Sequence, residues 1–337
     1  MKQSRESRFK QVMSGSDRSA PAAVLRIVAA GAEPAYAGTM RFRNWLYDSG
    51  KFKAHSLGRP TISVGNITTG GTGKTPVVQW LGHQLLELGQ RPAILLRGYK
   101  STTQGISDEQ AILATDRIAV IANPNRRQGA ATAIQKQPET TIFILDDAMQ
   151  HRRVKRDFEL VIINAADPFG FGRVFPRGLL REPMIGLRRA DAILVTHANE
   201  ATDLETTIAT VRKFNSTAPI FQCDHITSVS DLADKKYFAF CGIGSPKSFL
   251  AGLGGMCVGS REFDDHHDYD EADVSQIVGA TRFNGAEVLV TTQKDWVKLS
   301  RFKEKFPIPV LQAELSLRFH ADDEAALLQQ IRQKIPF

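Results

Sequence analysis

Short apolar runs alternate along this chain with longer amphipathic stretches. Residues 61–64, 92–96, 117–121, 141–145, 160–163 and 192–196 are largely β-branched or aliphatic, and each is four or five residues long. Runs of that length and continuity predict strands buried on both faces. Between them, residues 76–88 carry apolar positions at helical spacing, and an alanine-rich helical segment follows Asn125-Arg126-Arg127. Continuous apolar strands separated by helices predict a parallel sheet covered on both sides. A second, shorter succession has strands predicted at 237–241 and 287–291 and helices at 246–250 and 271–282. Extended segments at 219–222 and 309–317 flank it and read as two connecting strands. A helix at 322–333 closes the pattern.

The first strand runs into the densest glycine stretch of the chain, Gly65-Asn66-Ile67-Thr68-Thr69-Gly70-Gly71-Thr72-Gly73-Lys74-Thr75, and a helix follows. Strand, glycine loop and helix in that order make a phosphate cradle. Backbone N–H groups of Gly70, Gly71, Thr72 and Gly73 can approach an anion closely, and the helix N-terminus adds its positive dipole end. Lys74 would reach the β- and γ-phosphates of ATP, and the Thr75 hydroxyl would ligate Mg2+. Thr68 stands where the usual pattern has its first glycine, so the loop is a variant. A ligand-free glycine turn is the competing reading. The expected fold class is α/β: a P-loop NTPase-type parallel-sheet domain with a second, smaller α/β domain joined by a two-stranded linker. The expected boundaries are a basic, partly disordered leader at 1–40, the nucleotide domain at 41–218, the smaller domain at 219–318 and a C-terminal helix at 319–337.

Other candidate chemistry falls at strand ends. The run 141–145 closes on Asp146-Asp147, where carboxylates would hold Mg2+ directly or through water. Gln150-His151-Arg152-Arg153 adds donors just beyond. Asp108-Glu109 lies in a polar segment on the same expected rim; Asp108 could act as a general base, although Ser-Asp-Glu is also an ordinary helix start. In the second unit Phe263-Asp264-Asp265-His266-His267-Asp268-Tyr269 is the densest ionisable cluster. Adjacent histidines lack the spacing of a helical zinc pair, so an imidazole made more basic by a carboxylate such as Asp265 is the preferred reading. Arg126, Arg173, Arg177, Arg181, Arg188 and Arg189 supply planar donors for anionic oxygen. Thr291 to Asp295 follows a strand and suits a base-recognition loop.

Charge changes the picture at one end only. Residues 1–60 hold eleven Lys and Arg against four Asp and Glu, an excess equal to the +7 of the whole chain of 337 residues. A basic leader on a balanced body points to an anionic surface. Residues 41–53 mix Trp45, Leu46, Tyr47 and Phe52 with Arg41, Arg43, Lys51 and Lys53, which suits a helix in a bilayer interface or one packed on the core. Residues 1–19 read as disordered. Arg26 interrupts the apolar segment 21–30, which excludes a secretory signal. Three cysteines without close spacing indicate neither zinc knuckle nor disulfide framework.

Taken in order, these motifs resemble the tetraacyldisaccharide 4'-kinase (lipid A 4'-kinase) family. The matching pieces are residues 63–76, Arg97-Gly-Tyr99, Ser107-Asp-Glu109, Asp146-Asp-Ala-Met-Gln-His-Arg-Arg153, Gly172-Arg173, Leu180-Arg-Glu-Pro183, residues 240–244, Phe263-Asp-Asp-His266 and Thr292-Gln-Lys-Asp295. The resemblance implies transfer of the ATP γ-phosphate to the 4'-hydroxyl of a tetraacylated glucosamine disaccharide 1-phosphate. It also implies a peripheral position on the cytoplasmic face of a bacterial inner membrane. Asp108 is then the base, supported by His266 from the other domain, with Asp265 beside it. Lys74, Thr75, Asp146 and Asp147 handle phosphates and Mg2+, while Glu109, Arg126, His151, Arg181 and Glu182 contact substrate or phosphate. Two departures stand out: Ala148 replaces a usual glycine, and Gln293 replaces a usual glutamate. An ATP-driven switch is the main rival, but such loops typically carry a lysine where this chain has Thr69. No nucleic-acid motif is present, and no obligate protein partner is expected.

Overall fold

The computed structural model describes residues 5–69, 73–98, 108–244, 246–265 and 267–335, and the side chains of 5–7, 108 and 109 also lie outside the description. In chain order the elements are α1 (Arg5–Ser14), α2 (Ala20–Asp48), β1 (Thr61–Asn66), α3 (Lys74–Glu87), β2 (Pro92–Leu96), α4 (Asp108–Leu113), β3 (Ala119–Ala122) and α5 (Arg126–Lys136). Next come β4 (Ile142–Asp146), β5 (Phe158–Asn164), β6 (Ala192–Thr196), α6 (Leu204–Arg212), β7 (Ile220–Ser228), β8 (Lys236–Cys241) and α7 (Pro246–Gly252). Last are β9 (Met256–Glu262), α8 (Glu271–Phe283), β10 (Val288–Thr292), α9 (Gln293–Leu299), β11 (Val310–Phe319) and α10 (Asp323–Lys334). The described residues fall into two compact units, one of 5–98, 113–224 and 317–335, the other of 108–112 and 225–316.

In the larger unit the strand order is β3-β2-β4-β1-β5-β6-β7. Every neighbouring pair is parallel, with Ile62 opposite Ile144 on one side of β1 and opposite Phe158 on the other. Side chains alternate across a strand, so Ile144 of β4 joins Ile62, Val64 and Leu81 on one face while Phe143 and Leu145 join Ala130 and Ala133 of α5 on the other. The first of these cores is completed by Leu327 and Ile331 of α10. Trp80 of α3 donates from Nε1 to Glu324 of the same helix at 2.7 Å. A further core gathers Val161, Ile163, Ile193 and Val195 with Val211 of α6 and Ala37 of α2. Strands enclosed on both faces account for the unbroken apolar runs in the sequence.

The smaller unit repeats the principle with the order β11-β10-β8-β9, again parallel. Tyr237, Ala239 and Cys241 of β8 face one core with Phe249 of α7. Phe238 and Phe240 face the other with Val274 and Ile277 of α8. β7 and β11 each run from one unit into the other, and the chain also changes unit between residues 98 and 108 and again between 112 and 113.

The N-terminal 50 residues depart from expectation. Residues 5–14 form α1 where disorder is predicted, and the helix predicted over 41–53 is the last part of the 29-residue α2. Ser19 caps α2 with its side chain accepting from the Ala22 N–H, Pro21 sits in the first turn, and Gly50, at φ +72°, lies just past the end. One guanidinium nitrogen of Arg26 donates to the carbonyls of Val12, 3.1 Å away, and Asp17, 2.7 Å away. That tertiary tie fixes a segment whose polar composition alone gives no reason to fold.

Candidate active site

The site is built at the carboxyl ends of β1 and β4, the neighbouring strands at the centre of the larger sheet. Gly65, near the end of β1, has a steric reason to be glycine. A Cβ there would meet the Cβ and backbone nitrogen of Met149 at 2.7 Å. That close approach lets the Asp146–Gln150 turn lie against the start of the loop. Asn66, fully buried, donates from Nδ2 to the Thr68 carbonyl at 2.8 Å and accepts from Lys74 Nζ on Oδ1 at 3.1 Å. Thr69 donates its N–H to the Leu179 carbonyl at 2.7 Å, and Arg181 donates its own to Ile67 at 2.8 Å. The entrance of the loop is thus pinned by the segment 179–181. Gly70, Gly71 and Thr72 lie outside the described residues. Gly73 caps α3 at φ +72°, a left-handed conformation that favours glycine, and Lys74 and Thr75 open the helix.

The acidic pair lies opposite. Asp146 ends β4 almost completely buried, and Asp147 adopts a left-handed φ of +51°. Ala148, which replaces a usual glycine, does not share that conformation, so its Cβ brings no backbone strain. The Asp147 carboxylate is 3.5 Å from Lys74 Nζ and receives Arg181 Nη1 on both oxygens, at 2.7 and 2.8 Å. Burial alone would raise the Asp147 pKa, yet Lys74 and Arg181 hold it below the ordinary carboxylate value. Arg126 is buried at the start of α5 and donates to the carbonyls of Asn123 and Asp146. Burial lowers its pKa to about 10 against the opposing pull of Asp146 and Asp147. His151 is pushed down to about 4, first by burial and then by Arg126, Arg156, Arg153 and Arg43, so its imidazole is neutral at pH 7.

Three cations, Lys74, Arg126 and Arg181, therefore surround two carboxylates, leaving an excess of positive charge suited to polyphosphate. A magnesium ion fits the donors present. Mg2+ usually takes one or two carboxylates and completes its shell with water and phosphate oxygens. Asp146, Asp147 and the Thr75 hydroxyl offer that kind of set. Among the described residues no cluster of three or more His, Cys, Asp or Glu could hold a metal ion.

Several expected contacts take another form. Glu182, expected to touch substrate, is fully buried. Its carboxylate accepts from Asn44 Nδ2 at 2.7 Å, Arg189 at 2.7 Å and Gln150 Nε2 at 3.1 Å, so all its visible partners are internal. Asp295, in the expected base-recognition loop, is also buried. It accepts from the Thr292 hydroxyl, the Tyr269 hydroxyl and the Gly242 N–H, and so secures the start of α9. His267 Nε2 lies 2.7 Å from Asp273 Oδ2 and the ring stacks on Phe263, which commits that imidazole to holding the start of α8. His266 lies outside the described residues. Asp265 is exposed on the loop after β9. Asp108 and Glu109 begin α4, with their side chains outside the description.

Sequence reasoning misses Asn66, Asn44 and the internal role of Gln150. Asn66 and Gln150 both lie inside the quoted motifs, but nothing local marks them as struts: Gln150 Nε2 donates to the Asn66 carbonyl at 3.0 Å across 84 residues.

Known proteins resemble this chain over most of its length. The profile of the LpxK family, tetraacyldisaccharide-1-P 4'-kinase, matches residues 25–336. Tetraacyldisaccharide 4'-kinase of Desulfotalea psychrophila is 36% identical over 306 residues, covering 81% of this chain and 88% of that protein. The same-named protein of Chlorobaculum tepidum is 34% identical over 297 residues, covering 79% and 84%. The crystal structure of apo-form LpxK from Aquifex aeolicus in complex with ATP superposes with a TM-score of 0.71 at 28% identity, covering 92% of this chain and 99% of that one. The chain belongs to the tetraacyldisaccharide-1-P 4'-kinase family.

Proposed function

We propose that this chain transfers the γ-phosphate of ATP to the 4'-hydroxyl of tetraacyldisaccharide 1-phosphate, a step of lipid A biosynthesis, at a membrane surface and with Asp108 as general base. The observation that carries the phosphoryl-transfer reading is the Lys74–Asp147–Arg181 cluster at the head of α3. Phosphoryl transfer asks a protein mainly for positioning and for charge at the transferred group. Lys74, at the helix N-terminus, faces the β- and γ-phosphates. Arg181, now on both Asp147 oxygens, would be free to meet the γ-phosphate if that carboxylate held the metal instead. Arg126 keeps Asp146 at the strand end. Bound Mg2+ neutralises charge on the phosphate oxygens. Asp108 takes the proton of the attacking hydroxyl, with His266 and Asp265 in support; the family resemblance supports these three roles.

The test of the base is a split between chemistry and binding. Asp108→Ala should lower kcat by about 10²–10⁴-fold while the Kd for ATP changes by less than about threefold, well under the 1.4 kcal/mol of a tenfold change. A parallel fall in both would make Asp108 a nucleotide ligand.

Support for the membrane location comes from α2. Val24, Val28, Phe42 and Trp45 are each about half exposed or more, at helical spacing, and Lys51 Nζ sits 4.3 Å over the Trp45 ring. Aromatic and basic groups along one apolar face suit a helix lying in a lipid interface. No helix among the described residues is long and apolar enough to cross a bilayer. Val28→Glu with Trp45→Glu should release the protein from anionic vesicles in a flotation assay; unchanged flotation would place the attachment elsewhere.

A further inference from the structure

Asn66 ends β1 with no surface open to solvent. A buried amide is destabilising unless its donors and its acceptor are all used. Nδ2 donates to the Thr68 carbonyl at 2.8 Å and to the Thr68 hydroxyl at 3.2 Å, and Oδ1 accepts from Lys74 Nζ at 3.1 Å. These partners fix the orientation of the amide. Turned over, it would set its oxygen against the Thr68 carbonyl and its NH2 group against an ammonium. The main chain is used as well, since the Asn66 carbonyl accepts from Gln150 Nε2 at 3.0 Å.

One side chain thereby braces both ends of the glycine loop, Thr68 at its entrance and Lys74 at its exit into α3. Thr68 is only 5% exposed and forms an antiparallel bridge with Leu180. It stands in the place of the usual first glycine, and its hydroxyl is the second acceptor that Asn66 uses. Two of the acceptors around Lys74 differ in kind: the neutral Asn66 oxygen, and the Asp147 carboxylate 3.5 Å away. A neutral amide holds an ammonium less firmly than a carboxylate does. A phosphate oxygen can therefore take Lys74 from Asn66 without breaking a second ion pair.

We propose that Asn66 is a positioning residue for phosphoryl transfer: it holds the Lys74 ammonium at the loop exit before nucleotide binds, and, being neutral, it yields Lys74 to the phosphates. The proposal rests on the kinase reading above for the reaction that Lys74 serves. Asn66 acts through Lys74 and needs no contact of its own with ATP or the acceptor. A lysine stem is long and flexible, and an ammonium already held in place has less rotamer freedom to lose when phosphate arrives. Neutrality is the second half of the role. An aspartate would offer Lys74 the same acceptor, but it would add a third carboxylate to Asp146 and Asp147 where the polyphosphate binds.

The test uses the full chain in mixed micelles with ATP, Mg2+ and tetraacyldisaccharide 1-phosphate, and it follows ADP release and phosphate transfer separately. Asn66→Ala is expected to lower kcat about 10–100-fold, since a displacement of about 1 Å at a positioned group can cost about 10²-fold. In the Lys74→Met background the same substitution should change kcat by less than about twofold, because the ammonium that Asn66 holds is gone. A side chain that merely supports the loop would impose its full factor in both backgrounds, and that result would overturn the proposal. Asn66→Asp should weaken ATP binding, measured without acceptor, by about tenfold, because phosphate must then draw Lys74 from a charged partner. ATP affinity equal to the parent's would overturn the part played by neutrality. Should Asn66→Ala fail a thermal melt, Asn66→Ser enters the same cycle; it keeps a small polar group beneath Thr68 and ends short of Lys74. If the coupling appears in ADP release while no phosphate reaches the acceptor, the positioning role stands and the kinase reading falls. If the parent phosphorylates the acceptor and the double variant loses the product of both single factors, the kinase reading stands and the proposal falls.

Discussion

Replacing Lys74 with Met should reduce phosphate transfer by about 10²–10³-fold or more, the range seen when one preorganised charge donor is removed from a transition state. The side chain is only 12% exposed and bridges Asn66 Oδ1 to the Asp147 carboxylate. Met keeps the length and the apolar stem, so α3 should retain its packing through Val77, Val78 and Leu81. What disappears is the positive charge facing the phosphates. Asp147 would then lose one of the cations that balance it, and its pKa should move upward. Steady-state kinetics together with a thermal melt separate the outcomes: activity falls and the melting temperature hardly changes. A variant with activity within tenfold of the parent would remove Lys74 from the chemistry.

The largest stability effect is expected at Glu182. Its side chain is 1% exposed and that of its partner Arg189 14%. Truncation by Glu182→Ala leaves the Arg189 guanidinium and the Asn44 amide without their acceptor inside the protein, while the Gln150 amide keeps only the Asn66 carbonyl. Breaking a buried pair by removing one partner costs about 3–5 kcal/mol. Glu182→Gln keeps one acceptor oxygen and should cost less. Denaturant unfolding of both variants reads the difference. The ordering has a functional corollary: Asn44 belongs to α2 and Gln150 to the turn after β4, so Glu182 joins α2 to the acidic turn. Loss of activity in Glu182→Ala should therefore follow unfolding, whereas a direct substrate contact would lower activity in a fully folded variant.

The parts of this molecule legible from sequence are those made by neighbours in the chain. The glycine loop, its lysine and the acid pair each follow an apolar strand by a few residues, and parallel topology brings such strand ends to one edge. Alternating runs were enough to give the sheet, because strands buried on both faces leave a continuous apolar signature. Residues whose partners lie far away were not legible. Asn44 and Glu182 are 138 positions apart, and neither polar side chain carries a local mark of full burial. The same limit explains α1, whose amphiphilic pattern is weak and whose place is fixed by Arg26 from the following helix. Strand β9, with Gly259, Ser260 and Arg261 inside it, offers too few apolar residues to stand out, and it is held by pairing along β8. Adjacent His266 and His267 could not be told apart by spacing; a capping interaction with Asp273, visible only in three dimensions, assigns His267 to the fold.

On this reading, ATP is consumed to phosphorylate a lipid hydroxyl. The measurement that tests it most directly is the ratio of ADP released to phosphate gained by tetraacyldisaccharide 1-phosphate, followed in mixed micelles with γ-labelled ATP and Mg2+. One label on the 4'-oxygen is expected for each ADP, with ADP release falling to background when the acceptor is omitted. ADP released at the same rate without acceptor, with the label recovered as inorganic phosphate, would contradict it and identify an ATP-driven switch.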